Sequence, residues 1–274
     1  MVDWPEVPED VVVGVERRWP ERARRWADAA PIELREICDM YDAKPRTVMR
    51  ARYGFVVAAD SPNGGLVIRS SPDPDAWTQA DVAIALADLG VAPAIHETIV
   101  SITSLWTVME ELRPGTPLAL TDRSTVDLDA LAAPFAAMRN QLAPKPGMPS
   151  VFDWLRNRLE DDNLTELPVW REPAPIEERR DALRILDELV RDAEPALCHG
   201  DASTWNVLTS DAAGWKLVDP RGVSGEVAYD LAVVSLKLRS ELSPATAGQQ
   251  LAAAAGVDRD RVLAWIDTAE AARV

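Results

Sequence analysis

The second half of this chain reads as a succession of helices broken once, by a polar, turn-rich stretch from Leu197 to Gly225. Apolar residues recur at helical spacing through 127–142, 151–159, 176–192, 227–239, 244–255 and 259–272. Between the third and fourth of these helices stands Leu197-Cys198-His199-Gly200-Asp201-Ala202-Ser203-Thr204-Trp205-Asn206-Val207-Leu208, and after it Leu217-Val218-Asp219-Pro220-Arg221-Gly222. The short apolar runs 206–208 and 215–218 are strand-like, and 210–214 has turn composition. A hairpin set into a helical body would bring Asp201, Asn206 and Asp219 to one place.

The first half has a different grain. Residues 15–42 have a helical pattern, expected to break near Pro31. Strand signals follow at 47–51 and 55–59, parted at Gly54. Ser61-Pro62-Asn63-Gly64-Gly65 is a strong turn signal, and 66–69 is the returning strand. A helix over 75–89 ends at Gly90 as its C-cap, and 95–102 and 105–112 form a further strand pair. Arg113-Pro114-Gly115-Thr116-Pro117 breaks the pattern. The expected architecture is therefore α+β and bilobal: residues 1–112 form a β-rich N-terminal lobe with a helical extension over about 15–42, and 113–274 form a larger helical C-terminal lobe.

Composition narrows the function classes. With 274 residues, 47% of them hydrophobic, the chain can bury a sizeable core. No apolar run approaches the ~20 residues that span a bilayer. The start, Met1 to Asp10, is acidic and proline-bearing and lacks the features of a signal peptide, so a cytoplasmic protein is expected, without a membrane partner. The net charge of −16 argues against nucleic acid, whose phosphates it would repel, and suits a cationic ligand. Two cysteines and two histidines are too few for a disulfide framework or a histidine-built metal site.

Phosphoryl transfer to a hydroxyl needs what the hairpin offers. A carboxylate must orient the acceptor and take its proton, and further oxygen ligands must hold the magnesium ion that neutralises the phosphates. The string His-Gly-Asp-x-x-x-x-Asn-Val-Leu followed by Val-Asp-Pro resembles the catalytic and metal loops of the aminoglycoside phosphotransferase family, which has a protein-kinase-like fold. The continuation Gly222-Val223-x-Gly225-Glu226-x-x-Tyr229-Asp230-Leu231-Ala232 is most similar to the streptomycin 6-phosphotransferase and hydroxyurea phosphotransferase branch. The resemblance implies Asp201 as catalytic base, Asn206 and Asp219 as Mg2+ ligands, His199 as support for the loop and Asp230 as its brace from the next helix. It implies ATP or GTP as phosphate donor and, as acceptor, a hydroxyl of an aminoglycoside-like or other small polar molecule.

The N-terminal lobe departs from that pattern. Where the family places a lysine on the third strand, this chain has Leu66-Val67-Ile68-Arg69, so Arg69 is the candidate phosphate clamp and Asp81 its candidate helix partner. Gly54 is the one glycine in the first strand-to-strand turn, a thin cover for phosphates. In kinase-like folds the segment Trp106–Leu112 would face the nucleotide base, with Met109 near the gate and Glu110 to Leu112 along the base edge. Trp154 and Trp205 are candidates for packing against a ring of the acceptor. Two other functions fit the same loops: a kinase-like nucleotide-binding or regulatory protein with weak transfer, motivated by Arg69, and a metabolic kinase of the choline or homoserine kinase type. A monomer or homodimer fits equally well.

Overall fold

A computed structural model of the chain describes residues 4–122, 126–164, 167, 171–191, 193–210, 214–238 and 242–274. Met1–Asp3, the middle of the expected 210–214 turn, and the expected helix ends at Asp192 and Arg239 lie outside the described residues. The chain divides into two units: residues 1–80 with 93–112, and residues 81–92 with 113–274.

The first unit is built on five antiparallel strands in the order β1-β2-β3-β5-β4: β1 Lys44–Met49, β2 Phe55–Ser61, β3 Gly64–Ser71, β4 Ile95–Val100 and β5 Leu105–Glu110. Register is set at the β2–β3 turn, where Ser61 pairs with Gly64 and the Ser61 hydroxyl donates to the Gly64 carbonyl at 2.9 Å. Because side chains alternate across the pleat, Phe55, Val57 and Ala59 share a face with Leu66, Ile68 and Ser70, and with Trp106 and Val108. That face is buried under α1 (Glu9–Arg18) and α2 (Pro20–Met40), through Val11, Val15, Trp26, Ala30, Leu34 and Ile37.

The helical extension departs from expectation in where it breaks. The interruption is at Trp19, ahead of Pro20 at the start of α2, and Pro31 lies inside the helix. Trp26, Ala30, Leu34 and Ile37 are buried on both sides of Pro31, so packing carries the helix through the missing N–H. A polar seam ties α2 to the sheet. Trp26 Nε1 donates to Ser70 Oγ at 2.9 Å, and Ser70 Oγ donates to Ser104 Oγ at 2.9 Å. The Glu33 carboxylate accepts from Trp106 Nε1 at 2.7 Å and from the hydroxyls of Thr103 and Ser104.

In the second unit the core is helical. α4 (Leu128–Met138), α5 (Val151–Glu160), α6 (Ile176–Arg191), α7 (Val227–Lys237), α8 (Pro244–Ala255) and α9 (Arg259–Ala271) contribute to one apolar cluster. α7 is its centre, with every residue from Val227 to Ser235 buried, the signature of a helix surrounded by protein. The end of α3 (Ala76–Asp88) joins this core through Val82 and Leu86. The stretch read as a break, Pro114–Pro117, is strand β6, paired with β8 (Val207–Ser210), which pairs in turn with β9 (Gly214–Leu217). Two-residue strands β7 (Ala196–Leu197) and β10 (Ser224–Gly225) pair across the interruption, too short for a sequence pattern to mark them. Among the described residues both cysteines are free, and no helix is long and apolar enough to cross a membrane.

Replacing Glu33 by Ala removes the acceptor of the Trp106 indole and leaves a donor beneath α2. The expected cost is about 2 kcal/mol, read as a lower urea midpoint at unchanged slope.

Candidate active site

The catalytic-loop candidate runs from β7 to β8, and its backbone is fixed from below by a buried carboxylate. Asp230, on α7, is fully buried. It accepts from the His199 N–H through Oδ2 and from the Gly200 N–H through Oδ1, both at 2.8 Å, and the Cys198 thiol donates to Oδ1 at 3.5 Å. Burial pushes the Asp230 carboxyl above its usual range, while the hydrogen bonds from the His199 and Gly200 backbone N–H groups pull it back. Asp230 thus holds the His199 and Gly200 backbone from α7.

His199 is the second fastening. Its Nε2 lies 2.9 Å from the Val218 carbonyl, and its Nδ1 accepts from the Asp201 N–H at 3.3 Å. This pair of contacts fits the neutral ring protonated on Nε2. It joins the loop carrying Asp201 to the residue before Asp219. The same two segments meet again where the Val218 N–H donates to the Asn206 carbonyl at 2.9 Å. Gly200 is required between them: its φ is +78°, and a Cβ there would lie 2.5 Å from Val223 Cγ2.

The hairpin thus brings Asp201, Asn206 and Asp219 into one loop cluster. Asn206 Nδ2 donates to the Asp201 carbonyl at 2.8 Å, which leaves Oδ1 as the free-valence end of that amide. Asp219 has φ 56°, in the left-handed region that Asp tolerates better than most residues. The Asp201 carboxylate is 38% exposed. One amide oxygen and one carboxylate suit magnesium, a hard cation that retains several waters and takes its other ligands from phosphate. Among the described residues no group of three or more His, Cys, Asp or Glu could hold a metal by itself.

One residue at this site was not a sequence-level candidate. Arg221 donates from Nε to the Gly200 carbonyl at 3.0 Å, its backbone N–H donates to the His199 carbonyl at 2.9 Å, and its Nη2 lies 3.7 Å from Asp201 Oδ2. Its guanidinium stacks 4.1 Å from the centre of the Trp154 ring. Trp154 also meets Arg158, at 5.0 Å, so it holds arginines rather than standing open as a ring platform. Trp205 is 51% exposed. Glu226 faces elsewhere, accepting from Arg261 Nε at 2.6 Å and from the Trp265 indole.

In the first unit Arg69 and Met109 share the sheet face opposite α2. Arg69 lies across from Val56 and Thr107, and Val67 across from Ala58 and Met109, so an arginine stands beside a floor of small apolar side chains. Arg69 Nη2 donates to Gln79 Oε1 at 3.1 Å, and Gln79 Nε2 donates to Asp73 at 2.8 Å. This partner is an amide, so no carboxylate in the sequence marks it. The Asp81 carboxylate pairs with Lys145 Nζ at 2.7 Å.

Glu110 is on the α2 face, across from Leu66, and its carboxylate accepts from the Ala94 N–H at 3.2 Å. The N–H groups of Glu110 and Glu111 are taken by Ala94 and Gly65, and Leu112 follows them, half-buried. Gly54 meets the Ser70 carbonyl closely, a Cβ there lying 2.9 Å from it. Its neighbour Tyr53 is packed against Trp19, Arg18 and Arg52.

The direction of the Asp230 shift gives a pH signature. A carboxyl raised in the folded state binds more protons there than in the unfolded chain. Its contribution is therefore full below the ordinary carboxylate value of about 3.9 and is lost as pH rises through its higher folded value. Asp230→Asn should remove that segment of slope from a plot of Tm against pH, and an unchanged slope would contradict the assignment.

A family model described as aminoglycoside/hydroxyurea antibiotic resistance kinase matches residues 106–272. Among solved structures, an aminoglycoside phosphotransferase, APH(3'')-Id from Streptomyces rimosus, is similar with a TM-score of 0.60 and 17% identity, over 86% of this chain and 94% of that one. The Plasmodium vivax ethanolamine kinase has a TM-score of 0.63 and 12% identity, over 97% and 86%. A spectinomycin phosphotransferase in complex with ADP and spectinomycin has a TM-score of 0.57 and 12% identity, over 86% and 83%. No curated protein matches the sequence. These likenesses show a kinase-like fold, and the family match, which spans more than half of the chain, shows that it belongs to the aminoglycoside/hydroxyurea antibiotic resistance kinases.

Proposed function

We propose that the protein is a cytoplasmic small-molecule kinase that moves the γ-phosphoryl group of ATP or GTP to a hydroxyl of a small polar acceptor, of which an aminoglycoside-like molecule is one form. The observation that carries this reading is the loop cluster. Asp201 is half-exposed, with its backbone carbonyl tied to Asn206 and its N–H to His199, so the carboxylate is offered to solvent on a fixed frame.

The Asp201 carboxylate accepts the hydrogen bond of the acceptor hydroxyl and takes its proton as the oxygen–phosphorus bond forms and the bond to the β-phosphate breaks. Asn206 Oδ1 and the Asp219 carboxylate hold Mg2+, which when bound neutralises phosphate charge. Asp230 and His199 keep the two loops in register. On the first unit, Arg69 is assigned to the donor's phosphates, with Val56, Ala58, Val67 and Met109 as the floor for its base and Leu112 along the base edge. Gly54 lies in the turn above the first strands.

The competing reading is a nucleotide-binding protein with weak transfer. It is favoured by one observation, the guanidinium of Arg69, planar and bonded to Gln79, where a lysine's compact ammonium is usual.

Mass spectrometry of a panel of hydroxylated amines and neutral polyols, with ATP and GTP in parallel, should yield a phosphorylated product. Asp201→Ala should lower kcat by roughly 10³-fold, about 4 kcal/mol of barrier, with the fold intact. No product from any acceptor, together with nucleotide hydrolysis indifferent to Asp201→Ala, would sink the proposal. Arg69→Lys separates the two readings: a large gain in turnover marks an impaired kinase, and unchanged or lower turnover an adapted one.

A further inference from the structure

Resting on the reading of Asp201 as the acceptor's base, we infer that Arg221 is a specificity-determining residue on the acceptor side. It favours a small molecule that carries a carboxylate or other oxyanion next to the reacting hydroxyl, and disfavours one that carries an ammonium there.

Three contacts hold the side chain in place: the Nε bond to the Gly200 carbonyl at 3.0 Å, the stack on Trp154 at 4.1 Å and the approach of Nη2 to Asp201 Oδ2 at 3.7 Å. A guanidinium has five N–H donors in a planar fork. Only the Nε hydrogen is used in a hydrogen bond among the described residues, since 3.7 Å is too long for one at Nη2. The hydrogens of Nη1 and Nη2 are left over, on a side chain that is 25% exposed, beside a carboxylate that is 38% exposed. A fork of spare donors at a solvent-reached position matches the two oxygens of a carboxylate.

A hydroxyl that hydrogen-bonds Asp201 Oδ2 has Arg221 as its neighbour, because Nη2 lies 3.7 Å from that oxygen. For an acceptor substituent seated against the guanidinium in these partly exposed surroundings, a unit charge changes preference on the order of tenfold in either direction. The chain's overall charge of −16 draws cations from a distance, whereas Arg221 presents a cationic group beside the Asp201 carboxylate. The two effects act at different ranges, and the local one decides which hydroxyl is seated.

Matched two-carbon acceptors test this directly: glycolate, ethylene glycol and 2-aminoethanol, each with MgATP, compared by kcat/KM of phosphorylated product in the wild type, Arg221→Met and Arg221→Lys. Methionine keeps length and contact with Trp154 and removes the charge; lysine restores the charge without the fork. The expected wild-type order is glycolate over glycol over 2-aminoethanol, spread about tenfold or more. Arg221→Met should collapse that spread through KM, and Arg221→Lys should recover part of it. A wild-type preference for 2-aminoethanol, or an order that Arg221→Met leaves unchanged, overturns the inference.

Ligand-observed NMR with glycolate covers the case of no turnover. Binding lost in Arg221→Met and kept in Arg221→Lys would count against the kinase reading alone and support the anion site. Equal binding to wild type and Arg221→Met would overturn it.

Discussion

The loop cluster hangs on one buried carboxylate. Asp230 is on the central helix of the second unit, within its buried stretch from Val227 to Ser235, and its two oxygens each accept a backbone N–H from consecutive residues, His199 and Gly200. Burial of a carboxylate is costly unless its lone pairs are met. Here the meeting groups are the backbone of the loop itself, so satisfying the charge and positioning the loop are one event. Asp201 follows directly, and His199, seated by the same bond, reaches across to Val218 and fixes the approach to Asp219. Gly225 completes the frame on the far side, where a Cβ would collide with Val151 and Cys198.

The first unit solves a different problem. Its sheet is buried on one face by α1 and α2, which leaves the other face to Arg69 and its apolar neighbours. The turn before β2 is anchored rather than loose, since Tyr53 stacks edge-on with Trp19 at 5.9 Å and Gly14 on α1 approaches the Arg52 carbonyl. One glycine serves there because packing, not a run of glycines, shapes the turn.

How much of this was legible in the sequence depended on the kind of signal. α8 was read to its bounds, because Ser243 caps it, Pro244 starts it and Gly256 ends it at positive φ, all local chemistry. Asp201, Asn206 and Asp219 were legible as a group through their spacing. The strand Pro114–Pro117 was not: prolines read as breakers, yet a short strand lying beside β8 alone at the edge of its sheet tolerates them. The helix break near Pro31 was misplaced because burial on both sides of the proline outweighs its missing hydrogen bond. Arg221 stood in the quoted string, but what makes it notable is Trp154, far off in the sequence and adjacent only in space.

That stack between Trp154 and its two arginines also bears on when order is imposed. An arginine side chain carries roughly 2 kcal/mol of rotamer entropy. With Arg221 laid on the indole, and Arg158 bonded to the Ala272 and Arg273 carbonyls near the other end of the arrangement, that freedom is surrendered when the chain folds. A ligand arriving at Asp201 meets a guanidinium already stationary and has no such ordering cost to meet. Selectivity there would show itself as a sharp difference between acceptors of nearly equal size, while a looser arginine would accommodate them all.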